Sequence, residues 1–284
     1  MKKNIGITLE GGGMRGMFTA GVLDVFMENG ITCDGAVGVS AGAVFGCNLK
    51  SHQIGRVIRY NKRFCNDKRY ASISNWIKTG DLYSKDFAYG TVPFTLDPFD
   101  TDTYQKEKMR FSVVCTDIET GEPIYHDCEK GDRNDIEWMR ASASIPIVAK
   151  PVSIENHLYL DGGISDSIPI RWMQKQGYQK HIVVLTRPID YQKKPLRHQR
   201  MIFFLLRKYP NLVKALQQRH LHYNETLNYI KEQEQLGNIF VIRPSQAISL
   251  KVIEKDPNQL EAVYQLGRQN ALQQLASLKH FLAS

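Results

Sequence analysis

Ile5-Gly6-Ile7-Thr8-Leu9 running into Gly11-Gly12-Gly13-Met14-Arg15-Gly16, and Ala36-Val37-Gly38-Val39 running into Ser40-Ala41-Gly42, are the two stretches that decide the fold. Each joins a short apolar run to glycines and then to apolar residues at helical spacing: Phe18, Val22, Val25 and Phe26 after the first, residues 41–49 after the second. That pattern reads as strand, turn, helix twice over, with Asn29-Gly30 stopping the first helix. A β-α-β-α opening predicts parallel strands, right-handed crossovers and helices on both faces of the sheet. Working outward, Phe111-Ser112-Val113-Val114-Cys115-Thr116 and His181-Ile182-Val183-Val184-Leu185-Thr186 are β-branched runs of strand length, suited to a buried parallel sheet. Leu158-Tyr159-Leu160 is a shorter candidate ending at Asp161-Gly162-Gly163. Residues 61–103, polar and aromatic with Pro93 and Pro98, read as an irregular insertion placed to cover a site as a lid. Helical spacing returns over residues 196–219 and 258–282, with Ile239-Phe240-Val241-Ile242 as a strand between them. The expected architecture is α/β, a mostly parallel central sheet between helical layers. Residues 1–187 form its core, and residues 188–284 a mostly helical extension packed on the same domain.

With 284 residues and 42% hydrophobic content the chain can bury a large core, which excludes disorder for its bulk. Its densest apolar run, residues 201–206, falls far short of the ~20 residues a spanning helix needs. Met1-Lys2-Lys3 opens as a signal peptide does, but Glu10 and Arg15 interrupt the stretch, so the chain is expected to start at or near Met1. Five cysteines, with no CxxC pair and no Cys/His cluster at zinc spacing, predict reduced thiols, a cytoplasmic setting and no structural metal. The net charge of +8 is concentrated in residues 187–222, which hold nine Lys and Arg against the single acid Asp190, while the rest of the chain balances. Three readings stand for that segment. It is an amphipathic helix with a solvated basic side. Or it is a dock for an anionic membrane surface, with Met201-Ile202-Phe203-Phe204-Leu205-Leu206 dipping below the headgroups. The third, nucleic acid, has no accompanying motif and is set aside.

The chemistry-bearing residues fall at the two turns and at one further strand end. Gly38-Val39-Ser40-Ala41-Gly42 is a Gly-x-Ser-x-Gly sequence where a strand becomes a helix, the context that lifts a serine hydroxyl above a sheet on a strained turn. The loop Gly11 to Gly16 leaves backbone N–H groups unpaired at a helix N-terminus, a ready anion site. Beside a nucleophilic serine such donors would hold an oxyanion, each worth roughly 10²–10³ in turnover, with Arg15 adding charge or bracing the loop. The same strand-GxGxxG-helix arrangement is also a dinucleotide fingerprint, with Asp34 falling near the expected ribose-binding acid, although the fingerprint leaves the serine elbow unexplained. None of the eight histidines stands in a context that suggests a catalytic base. Asp161, closing a strand before Gly162-Gly163, puts a carboxylate at the carboxyl edge of the sheet; a plain turn is the other reading.

Taken together, these motifs resemble the patatin-like phospholipases, a bacterial and plant group of lipid acyl hydrolases. The glycine-rich loop, the elbow at Ser40 and the Asp161-Gly162-Gly163 turn occur in the family's order. Ala141-Ser142-Ala143-Ser144-Ile145-Pro146 and Asp166-Ser167-Ile168-Pro169 resemble its flanking blocks. The resemblance covers about residues 5–186. It implies a Ser-Asp dyad without histidine or metal: Ser40 as nucleophile, Asp161 as base, and N–H groups around Gly12, Gly13 and Met14 as the oxyanion hole. It implies a phospholipid, lysophospholipid or other acyl-ester substrate and no cofactor. A thioesterase or acyltransferase with the same dyad, and a non-catalytic protein that binds lipid or dinucleotide, are the alternatives.

Overall fold

Parallel pairing of β1 with its neighbours organises the chain in the computed structural model, which describes residues 4–284. Met1, Lys2 and Lys3, on which the reading of the chain start rests, lie outside the described residues. The strands are β1 (Ile5–Leu9), β2 (Gly35–Val39), β3 (Arg110–Asp117), β4 (Pro123–Asp127), β5 (Val152–Ile154), β6 (His157–Asp161), β7 (Lys180–Val184) and β8 (Ile239–Ile242). The α-helices are α1 (Gly16–Glu28), α2 (Ala41–Lys50), α3 (Arg56–Phe64), α4 (Ile73–Thr79), α5 (Thr101–Lys106), α6 (Arg133–Ser142), α7 (Ile170–Lys175), α8 (Gln199–Leu205), α9 (Pro210–Gln235) and α10 (Pro257–Ala283). The order β3-β2-β1-β7-β8 is parallel throughout, and every residue of β1 and β2 is buried, as expected of strands covered on both faces.

The pairing along β3 positions everything that follows. β2 runs parallel to it as far as Val39 opposite Val114. β6 then runs antiparallel to it, with Asp161 opposite Cys115. The N–H of Arg110 donates to Asp34 O at 3.1 Å and that of Ile118 to Leu158 O at 3.1 Å. Residues an even number apart on a strand point their backbone groups to the same edge, so β2 and β6 share one edge of β3 and meet end to end. β4 occupies the other edge, antiparallel.

Two expectations are corrected. Residues 61–103 are not irregular: they hold the end of α3, α4, a wide π-type helix at Phe87–Leu96 and α5. The elements are short and individually capped, Ser72 and Asp100 accepting from the N–H groups of Asn75 and Thr103, and Pro93 sits inside the wide helix, so no long periodicity announces them. The helical stretch over 196–219 is two elements, α8 and α9, divided at Pro210, which opens α9 because it cannot continue the helix before it. The region beyond residue 188 is integral to the core: β8 extends the sheet beside β7, and α10 crosses α1 at backbone contact. A Cβ on Gly267 would lie 2.0 Å from Phe18 O.

Candidate active site

Ser40 ends β2 in a conformation that L-residues avoid, φ 55° and ψ −119°, a strain of roughly 1–3 kcal/mol that surrounding structure must hold. Its N–H donates to Ser142 Oγ at 3.0 Å, and Ser142 in turn donates to Val114 O at 2.6 Å. Its carbonyl accepts from Ala43 and Val44, opening α2. Gly38 and Gly42 make the turn possible by close approach: a Cβ on Gly42 would stand 2.4 Å from Leu9 O, so only glycine lets α2 start above β1.

From the other direction along the edge of β3, β6 delivers Asp161. Its backbone N–H donates to Ser144 O at 2.8 Å and its carbonyl accepts from Thr116 Oγ1 at 2.9 Å. The carboxyl, 4% exposed, accepts the Gly163 N–H at 2.7 Å. Burial raises its pKa, while the nearby Arg219 guanidinium, the Ser40 hydroxyl and the Gly163 N–H act the other way. Gly162 packs directly on Val114 O, and Arg219 Nε donates to Gly163 O, bracing the turn.

The glycine loop lies against Ser40: a Cβ on Gly11 would be 3.0 Å from that of Ser40. Gly13 takes φ 55° to open the short turn into α1. Among the described residues, the N–H groups of Gly12, Gly13 and Met14 have no protein acceptor. The N–H of Arg15 donates to Gly12 O and that of Gly16 into the same turn, so these two amides face inward and are removed from the expected donor set. The Arg15 side chain instead lines the cleft.

Two cavities open on either side of Ser40. One, about 1170 Å³ with its open mouth, is walled by α2, α6 and the helices of residues 61–103, including Phe45, Tyr60, Tyr89, Val92 and Met139. The other, about 1040 Å³ on the same measure, contains Asp161 and is rimmed by Arg15, Arg187, Lys193 and Arg219. None of the eight histidines, all of them described, lines either cavity.

Asp34 is corrected as a ribose-binding candidate. It precedes β2 and accepts the Ile5 N–H at 2.8 Å, at the edge of the sheet opposite the glycine loop. Residue reading also missed two groups. Glu10 is buried and accepts the N–H and hydroxyl of Thr186 and the hydroxyl of Tyr223, joining the first strand to α9; nothing local signals it. His126, Cys128 and Asp135 bring three potential ligand atoms within 4.8 Å, although the Asp135 carboxylate already accepts the N–H groups of Lys130 and Gly131 and burial raises the Cys128 thiol pKa.

A family model described as Patatin-like phospholipase matches residues 7–172. The chain belongs to the patatin-like phospholipase family. A second model, a domain of unknown function, matches residues 209–283, which contain α9, β8 and α10. An uncharacterized Escherichia coli protein, YjjU, is 29% identical over 275 residues, 93% of this chain and 75% of its own length. The lysophospholipase NTE1 of Candida albicans is 26% identical over 255 residues, 84% of this patatin-like chain, which spans only 18% of NTE1. Among solved structures, VipD from Legionella pneumophila aligns with 98% of this chain and 67% of its own at 13% identity and a TM-score of 0.49. Membership supports lipid hydrolase activity, since patatin-like phospholipases act on lipids.

Proposed function

We propose that this patatin-like protein is a serine lipid acyl hydrolase of the phospholipase A or lysophospholipase type. What supports the reading is the end-to-end meeting of β2 and β6 on β3, which brings Ser40 and Asp161 into one cleft, with the free N–H groups of Gly12, Gly13 and Met14 in the same wall. Ser40 Oγ attacks the ester carbonyl and passes its proton to Asp161, and the three N–H groups hold the oxyanion. As the tetrahedral intermediate collapses, Asp161 returns the proton to the leaving alcohol. A water then attacks the acyl-enzyme, giving its proton to Asp161, and as the second tetrahedral intermediate collapses Asp161 returns that proton to Ser40 Oγ, releasing the fatty acid and restoring both residues. The apolar cavity on one side of Ser40 takes the acyl chain.

A fluorescent fluorophosphonate, which phosphonylates activated serines, tests this on wild type beside Ser40→Ala and Asp161→Asn. Peptide mapping is expected to find the label on Ser40, with labelling and ester hydrolysis lost in Ser40→Ala and reduced at least ~100-fold in Asp161→Asn. Folded wild-type protein that neither labels nor hydrolyses esters would refute the reading, and a product carrying the acyl group on added glycerol would move it to acyl transfer.

A further inference from the structure

Three of the nine basic residues in 187–222 turn inward. Arg187, Lys193 and Arg219 line the cavity that holds Asp161 from beyond β7 and from α9, and Arg15 lines it from the glycine loop. Two carboxylates line the same cavity as these four cations, Glu10 and Asp161, and both accept hydrogen bonds from elsewhere, Glu10 from Thr186 and Tyr223 and Asp161 from the Gly163 N–H. Among the described residues none of the four cations has an ion pair within 4.0 Å. The Nε of Arg15 is buried with no hydrogen-bond partner. Lys193 is fixed rather than trailing: its backbone is clamped on both sides by the Asn224 amide, at 2.8 and 3.0 Å, and its Nζ sits 4.2 Å over the Tyr223 ring. Half-buried positive charge in excess of its counter-charge is costly, and an anionic ligand would offset it.

Resting on the hydrolase reading, we infer that this half of the cleft binds the phosphate group of the acyl-ester substrate through Arg15, Arg187, Lys193 and Arg219. Ser40 lies between the two cavities, so an ester there would direct its acyl chain into the apolar one and a phosphate a few bonds away into the cationic one. A doubly charged phosphate monoester matches the excess of four cations over two carboxylates, and guanidinium groups suit its oxygens. Lys193 fits the same picture. Burial and the neighbouring Arg219, Arg15 and Arg187 push its pKa down to about 7 against the opposing pull of Glu10, and a bound dianion would restore its charge.

The test is equilibrium binding to the Ser40→Ala variant, which separates recognition from turnover. Monomeric lysophosphatidate is compared with monoacylglycerol of the same chain and with inorganic phosphate alone. Lysophosphatidate is expected to bind at least ~10-fold tighter than monoacylglycerol, about the worth of one charge-assisted hydrogen bond. Adding Arg187→Gln and Lys193→Met, singly and together, should shrink that ratio in folded protein. Equal binding of the two lipids, or a ratio indifferent to both substitutions, would overturn the inference. So would inorganic phosphate binding as tightly as lysophosphatidate, which would mark a free-phosphate site. Should the wild type hydrolyse nothing while the preference persists, the hydrolase reading falls and the phosphate site stands.

Discussion

Ser40 and Asp161 are held by opposite kinds of constraint. The strain at Ser40 is met by hydrogen bonds through Ser142, whereas the cost at Asp161 is electrostatic, a carboxyl buried to 4% exposure. Because burial raises the folded-state pKa of Asp161 above its ordinary value, the fold favours the protonated form. That contribution to stability is present below the unfolded pKa and is lost as pH rises through the folded one. At pH 7, above the ordinary carboxylate range, the shift at Asp161 therefore opposes folding, and Asp161→Asn is expected to raise the melting temperature by about 2 °C for each kcal/mol relieved. The gain should shrink as pH falls toward 4, into the range of an ordinary aspartate, where the folded and unfolded chains differ less in the proton Asp161 holds. Thermal unfolding at both pH values checks the sign, and a lower melting temperature for Asp161→Asn at pH 7 would contradict it. The same shift places the acid limb of the pH–rate profile above the range of an ordinary aspartate. Ser40 was legible in the sequence because its signal is local, glycines two residues to either side at a strand end. Ser142, 102 residues away on α6, carries no such local mark, and only the fold brings it under the Ser40 N–H.

α8 shows what a periodic pattern leaves undecided. Met201, Phe204 and Leu205 are 58%, 63% and 55% exposed, with Arg200, Arg207 and Lys208 exposed around them, while Ile202 lines the cleft. An apolar surface ringed by basic groups at the mouth of the cleft that holds Ser40 and Asp161 suits an anionic bilayer. Wild type is expected to sediment with anionic vesicles, less so at 0.5 M salt as screening sets in. Phe204→Asp should weaken that binding about 10-fold, since Phe loses ~1.5–3 kcal/mol when kept from an apolar phase. Salt-insensitive binding, or Phe204→Asp binding as wild type does, would remove α8 from the contact. The basic segment thus divides. Its charge is readable from composition, but which residues face a cleft and which face solvent depends on where Pro210 breaks the helix and how α9 lies against the sheet. β6 was legible as a short strand for a similar reason, and its antiparallel course beside the end of β2 was not, because register along β3 is a non-local property.

At the scale of the molecule, the division at residue 187 expected from the motifs does not correspond to a division of the core. The parallel order β1-β2-β3 follows from the two opening β-α units, and that much the sequence carries in its own neighbourhood. What it does not carry locally is that β8 returns to cover the edge of β7 and that α10 lies on α1 near enough for Tyr264 to donate to Asp24 at 2.7 Å. A Cβ on Gly21 would stand 2.1 Å from Tyr264 O, so the two helices meet backbone to backbone and seal Phe18 and Val22 from water. Cutting the chain after residue 187 would uncover that surface, leave β7 an unpaired apolar edge and strip Glu10 of Tyr223. A chain of residues 1–187 is therefore expected to be insoluble or molten, with lost near-ultraviolet circular dichroism and no cooperative thermal transition, although it retains the elbow, the glycine loop and Asp161. Supplying residues 188–284 as a separate chain during refolding should recover both the transition and serine labelling. A cooperative, labelled 1–187 fragment would show instead that the patatin-like core folds alone, and that the region after it serves recognition without serving the fold.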